Sequence, residues 1–257
     1  MAPLPFQGTA RALSIEGLHA ASEKLGVFAP EIWTLLAVET SGCGFLPDRR
    51  PCILFERHYF HRLTQGKYDD GDISDPKPGG YGAGGAHQYD RLARAIAKNR
   101  PAALRSASWG IGQIMGDKFA LAGFADVETM VAAMSQSEDQ QLAAVGNFLI
   151  GSRLNVPLQA HDWASFARGY NGVNYARNRY DIRLNGEFLK CSGVLPDLNI
   201  RAAQLYLTYL GFHPGQIDGI AAKRTLAALA EFQARAGVPL TATVNAVAMA
   251  QLNAALA

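Results

Sequence analysis

The chain has 257 residues, 24 Lys and Arg against 22 Asp and Glu, and a formal net charge of +2. A balance this even gives no case for a nucleic-acid partner, and 49% apolar residues is ordinary for a globular fold. The length allows a substantial core plus a second small domain.

No apolar run approaches membrane-spanning length, so no membrane insertion is expected. The N-terminal stretch MAPLPFQGTARALSIEGLHAASEKLG lacks an apolar h-region, which predicts synthesis in the cytosol without a Sec signal peptide. The three cysteines, Cys43, Cys52 and Cys191, are an odd and sparse set without CxxC spacing. They argue against a disulfide framework or a zinc site and predict reduced structural thiols, with Cys43 and Cys52 able to lie close in space.

Residues 12–25 read as a helix with Leu13, Leu18, Ala21 and Leu25 inward, stopped by Gly26. A second helix begins near Pro30 and ends at Gly42 and Gly44. Ile32, Leu35, Leu36 and Glu39 recur at i, i+3, i+4 and i+7 and share one face, which puts a carboxylate on the side expected to be buried. Burial and the negative helix end both disfavour its charged form. A carboxyl kept neutral near pH 7 is a proton donor. The alternative is a partly exposed Glu at a fraying helix end.

Cys52–Phe55 reads as the start of a strand, followed at once by Glu56, a second carboxylate 17 positions after the first. Its alternative reading is a surface Glu paired with Arg57 or Arg62. His58 and His61 have metal-ligand spacing, but no carboxylate ladder accompanies them, so packing or solvent-facing roles are expected and no metal. Residues 65–88 are Gly, Pro and Asp-rich loop, with Asp69, Asp70, Asp72 and Asp75 as turn residues within reach of a cleft. After a helical stretch near Tyr89–Lys98 comes SASWGIGQIMG, residues 106–116. Here Gly110 and Gly112 permit close backbone approach, Trp109 offers a flat face of the kind that stacks on sugars, and Gln113 bonds in both directions. The alternative is a glycine-containing helix start with a core Trp. Residues 126–151 and 157–168 read as helices, and Tyr170 and Asn171 stand at a turn marked by Asn171-Gly172. GVLPDLN, from Gly193, is a linker. Helices near 199–210, 222–236 and 243–256 then form a small three-helix unit. The division expected is 1–192 and 193–257.

Three of these stretches, in this order, resemble the lysozyme-like muramidases and lytic transglycosylases: VETSGCG at the helix end, SASWGIGQIMG, and FARGYNGVNYARNRY. The resemblance is closer to the N-acetylmuramidase domain of phage endolysins, through LFERHYF at Leu54–Phe60, PGGYG at Pro78–Gly82 and the Ser106–Gly116 stretch, and covers about residues 8–190. The C-terminal part is similar to the peptidoglycan-binding-1 module at Leu207, Leu210, Gly211, Phe212, Gly215, Asp218, Gly219, Thr225, Ala228, Phe232, Gln233, Gly237 and Val238. It departs from that pattern at Ala203-Gln204 and at IAAKR after Asp218-Gly219.

The resemblance implies a mainly α (α+β) lysozyme-like catalytic domain with a small β region, followed by a three-helix peptidoglycan-binding domain. It implies bacteriolytic cleavage of the β-1,4 bond between N-acetylmuramic acid and N-acetylglucosamine. Glu39 is then the general acid and Glu56 the first candidate for the second catalytic carboxylate, with an Asp from 69–75 behind it. Ser108, Trp109, Gly110, Gln113, Tyr170 and Asn171 are the implied glycan-binding residues. No cofactor is implied, the partner is peptidoglycan, and a monomer is expected. Export through holin-type membrane lesions fits a phage endolysin; a bacterial effector fits the same sequence. Two other readings stay open: a lytic transglycosylase giving anhydro-muramic products, and a wall-binding protein without catalysis.

Overall fold

The computed structural model describes residues 4–39 and 42–256, with Glu39 described by its backbone alone. Helix α1, Ile15–Leu25, starts where the Ser14 hydroxyl accepts the Gly17 N–H at 3.0 Å and stops at left-handed Gly26, φ +65°. Its expected inner stripe is buried. Helix α2, Ala29–Glu39, departs from the one-faced pattern: Ile32, Trp33, Thr34, Leu35, Leu36 and Val38 are all buried and Ala37 is exposed. The reason is its place in the fold. α2 packs against α1 and along α10, Tyr180–Gly193. Position on a face therefore says little about residues on this helix.

A three-stranded antiparallel sheet follows, β1 Ile53–Phe55, β2 Ala107–Trp109 and β3 Ile114–Met115, in spatial order 1-2-3. Ile53 faces Trp109, Phe55 faces Ala107, and Trp109 faces Ile114. The chain between β1 and β2 carries α3 Arg57–Thr64, α4 His87–Ile96 and α5 Arg100–Arg105. The Asp-rich loop between α3 and α4 is tied down at each acid. Asp70 accepts the backbone N–H of Asp72, Ile73 and Ser74, Asp69 meets His61 at 2.8 Å, Asp75 meets Arg57 at 3.4 Å, and Asp72 meets the buried Arg91 at 3.1 Å. These acids order the loop rather than reach for a cleft.

The helix expected over 126–151 is two, α6 Val127–Met134 and α7 Glu138–Gly151. Ser137 breaks them, its hydroxyl accepting the Gln140 N–H at 3.2 Å. The break also pairs with the N-terminal segment through an isolated bridge: Arg11 N–H donates to Gln136 O, and Glu138 N–H to Arg11 O. The next helices are α8 Asn155–Gln159 and α9 Trp163–Asn171, before α10. One buried apolar cluster runs from Leu13 to Cys191 through all these elements.

The C-terminal unit is α11 Leu198–Tyr209, α12 Lys223–Ala236 and α13 Ala246–Leu256, around its own core of Leu207, Phe212, Leu229, Phe232 and Leu252. The buried Gln204, which follows the departing Ala203, secures the Asp218-Gly219 turn. Its Oε1 accepts both backbone N–H groups of that turn, at 3.0 and 2.9 Å, and its Nε2 donates to Ile220 O at 3.0 Å. A third apolar cluster, Ala12, Ala202 and Leu205, joins the unit to the N-terminal segment.

Candidate active site

Two of the segments that carry the family resemblance, the β2–β3 turn and the end of α9, meet the C-terminal half of α2. Leu35 and Leu36 share one hollow with Ile111 and Gly112 of the β2–β3 turn, Leu142 and Val145 of α7, and Tyr170 of α9. The Tyr170 hydroxyl donates to Gly112 O at 2.7 Å, and its ring stacks on Phe166 at 5.6 Å. Asn171 closes α9 beside it, with left-handed Gly172 as the cap. Glu39 is the last residue of α2, one turn beyond Leu35 and Leu36; its side chain lies outside the described residues. Arg183 of α10 donates to Val38 O at 3.3 Å. This cation at the helix end offsets part of the dipole that the sequence reading invoked.

Beyond α2 the chain is pinned from several sides. Gly44 O accepts the Cys52 N–H at 2.8 Å, so the exit of α2 and the entry to β1 are joined. Gln141 of α7 reaches both walls: its Oε1 accepts Ile111 N–H at 2.7 Å and its Nε2 donates to Gly44 O at 3.3 Å. Cys43 and Cys52 are in contact as free thiols, as their spacing allowed. The hydrogen bond between them holds Cys43 below and pushes Cys52 above the ordinary thiol range, and burial adds to the rise at Cys52.

Glu56 caps α3, and its N–H donates to Ser106 O at 2.8 Å. Its neighbours are not the arginines that a surface pairing would use. Arg57 is held by Asp75 and Lys77 O, and Arg62 by Asp117. Instead Oε2 lies 3.1 Å from His58 Nδ1 without forming a hydrogen bond to it. Oε2 is buried and accepts no hydrogen bond among the described residues. Tyr81, from the PGGYG stretch, completes the setting. Burial first, then the charge of Glu56 and a hydrogen bond to it, push the Tyr81 hydroxyl up. A half-buried carboxylate with an unfilled oxygen can accept a proton from a water or a ligand.

The SASWGIGQIMG stretch is built differently from the expectation. Trp109 is corrected from a glycan-stacking residue to a core residue: it is 0% exposed, its indole N–H donates to Leu104 O at 3.0 Å, and Phe6 covers its ring at 5.7 Å. The reason is strand alternation, which turns Trp109 with Ala107 inward against the hydrophobic cluster. The glycines instead serve the β2–β3 turn. Gly110 is left-handed, φ +69°, and a Cβ there meets the Gln141 side chain. Gln113 has its amide committed locally, its Nε2 to Gly110 O at 2.8 Å and its Oε1 to the Ser108 hydroxyl at 2.8 Å. Ser108, Gly110 and Gln113 thus brace one another, and Tyr170 leans on the same turn.

Two positions went unread in the sequence, Glu138 and Arg201, which form a fully buried ion pair joining α7 to α11. The only hint was a Glu directly after Ser137 at a helix start, a common capping pattern.

Residues 29–192 match the family described as N-acetylmuramidase, and residues 197–254 match a peptidoglycan binding domain. Among solved structures, the chain is similar to the crystal structure of Burkholderia AP3 phage endolysin, at 39% identity and a TM-score of 0.66, over 71% of this chain and 72% of that one. No curated protein matches the chain.

Proposed function

This chain belongs to the N-acetylmuramidase family and is a peptidoglycan-degrading glycosidase; we propose that it hydrolyses the β-1,4 bond between N-acetylmuramic acid and N-acetylglucosamine, with Glu39 as general acid. The observation that supports this reading is the convergence of the β2–β3 turn and Tyr170 on the α2 turn immediately before Glu39. The protonated Glu39 carboxyl donates to the glycosidic oxygen as the bond to the muramic acid carbon breaks and positive charge builds there. Water completes the cleavage at that carbon. Glu56 is our candidate for the second carboxylate, since Asp69, Asp70, Asp72 and Asp75 each hold a loop partner while Glu56 Oε2 accepts no hydrogen bond among the described residues. Tyr170 and Asn171 would line the glycan path, over a wall that Ser108, Gly110 and Gln113 hold in shape.

We place the division between the catalytic domain and the wall-binding domain at 192/193, before the last residue of α10. Among the described residues no helix is long and apolar enough to cross a membrane. Likeness to a phage endolysin supports access to the wall through lesions made by a separate holin-type protein.

Mass spectrometry of products from purified peptidoglycan tests this reading, with wild type beside Glu39→Gln and Glu56→Gln. The expected product carries a reducing-end muramic acid and is lost in both variants. Anhydro-muramic ends would mean that the muramyl 6-hydroxyl attacks instead, as in a lytic transglycosylase, and would leave Glu56 a structural role.

A further inference from the structure

We infer that the C-terminal unit is part of the catalytic apparatus: Arg201 of α11 is a positioning residue that fixes the exit of α2, and through it Glu39. The inference rests on the reading of Glu39 as the acid.

The geometry is a double clamp. Arg201 and Glu138 are 1% and 0% exposed and meet in a fork, with contacts of 2.5 and 2.8 Å. The remaining capacity of each group goes to the segment just after α2. Arg201 donates to Gly42 O at 2.8 Å, and Glu138 Oε1 accepts Gly44 N–H at 2.9 Å. Gly42 lies three residues beyond Glu39. Glu138 Oε2 also accepts Leu13 N–H at 2.9 Å, which fixes the clamp to the segment before α1. The C-terminal unit then closes over Gly42 from outside: Ile217 O is 3.3 Å from where a Cβ would stand, and φ there is +100°. A side chain at position 42 is thus opposed by both backbone and space.

A buried ion pair gains little stability over an apolar pair of the same volume. Anchoring alone would be served by the apolar contacts of Ala12, Ala202 and Leu205 and by the Tyr209 hydroxyl on Ala10 O. The fork adds directional bonds to two backbone groups, of Gly42 and Gly44, that follow the acid in the chain. A tethered wall binder raises the local concentration of enzyme without touching turnover. A unit that holds the α2 exit sets turnover itself, even on substrates too short to reach a wall-binding site.

The test is kinetics of the full chain on a soluble, peptide-free glycan oligomer. One variant is Arg201→Lys, which keeps the charge opposite Glu138 but has no fork to span it and Gly42 O. The other is the double variant Glu138→Met/Arg201→Met, which removes the clamp without leaving a lone buried charge. With native circular dichroism and unchanged sedimentation with peptidoglycan, we expect kcat to fall roughly tenfold or more in both, with KM within about threefold, because small misplacements of a reacting group cost that much. Wild-type kcat in folded Arg201→Lys would overturn the inference, whether or not the double variant folds. Glu39→Gln is measured alongside. If it is inactive while the clamp variants are not, only this inference fails; if it turns over normally, the assignment of the acid fails first.

Discussion

Two glutamates of this chain make an instructive pair. Glu56 and Glu138 both sit at helix starts and both are screened from solvent, yet their oxygens are used in opposite ways. Glu138 is saturated: two donors from Arg201 and the N–H groups of Leu13 and Gly44 fill both oxygens. Burial alone would push its carboxyl up, but the Arg201 charge and these hydrogen bonds hold it below the usual range. Glu56 has Tyr81 and a neighbouring His58, and Oε2 left without a hydrogen bond among the described residues. Burial by itself therefore does not mark a reactive carboxylate. Glu138's filled acceptors make it a structural tie, and the unfilled Oε2 is what makes Glu56 our candidate for the second carboxylate.

The contrast predicts separable effects. The largest is on stability at Glu138. Glu138→Ala leaves a lone buried guanidinium, and urea unfolding should show a loss of about 3–5 kcal/mol. Next, Glu56→Gln should leave the unfolding midpoint close to wild type and lower kcat roughly 10²-fold in a product-release assay. The reverse pattern at either position would invert the comparison.

A smaller effect follows from pH. Because the folded-state pKa of Glu138 is depressed, its contribution to stability is present above its unfolded pKa, about 4.3, and is lost as pH falls from there through the folded value. Denaturant midpoints of wild type should drop on that acid side, and those of Glu138→Met/Arg201→Met should drop less steeply. Smallest is Trp109→Phe. It removes the indole bond to Leu104 O and some core volume, for about 1–2 kcal/mol in thermal or urea unfolding. KM for soluble glycan should stay within about threefold of wild type, because the ring lies in the core and not on the cleft wall. A KM raised tenfold or more would restore the stacking role.

Much of the architecture was legible because it is local. Helix α1 carries its own cap and stop in Ser14 and Gly26, and the three C-terminal helices fall within a few residues of their expected limits. Proximity of Cys43 and Cys52 was likewise readable from their spacing. Other features depend on what the fold brings together. Trp109 looked like a sugar platform because periodicity cannot tell which side of a two- or three-residue strand faces the core. Strands β2 and β3 are too short to announce themselves at all, and their turn reads equally as a helix start. α2 looked one-faced because α10, more than a hundred residues on, supplies the other wall. The Glu138–Arg201 pair spans 63 residues and two separate cores, so no local pattern could have joined them.

Glu39, at the end of α2, is the proposed general acid of the cleavage. Lysis of purified peptidoglycan by Glu39→Gln, followed as loss of turbidity with wall sedimentation in parallel, tests it most directly. The account predicts wild-type sedimentation and a lytic rate lower by roughly 10³-fold or more. Sedimentation and lysis both within about threefold of wild type would contradict it.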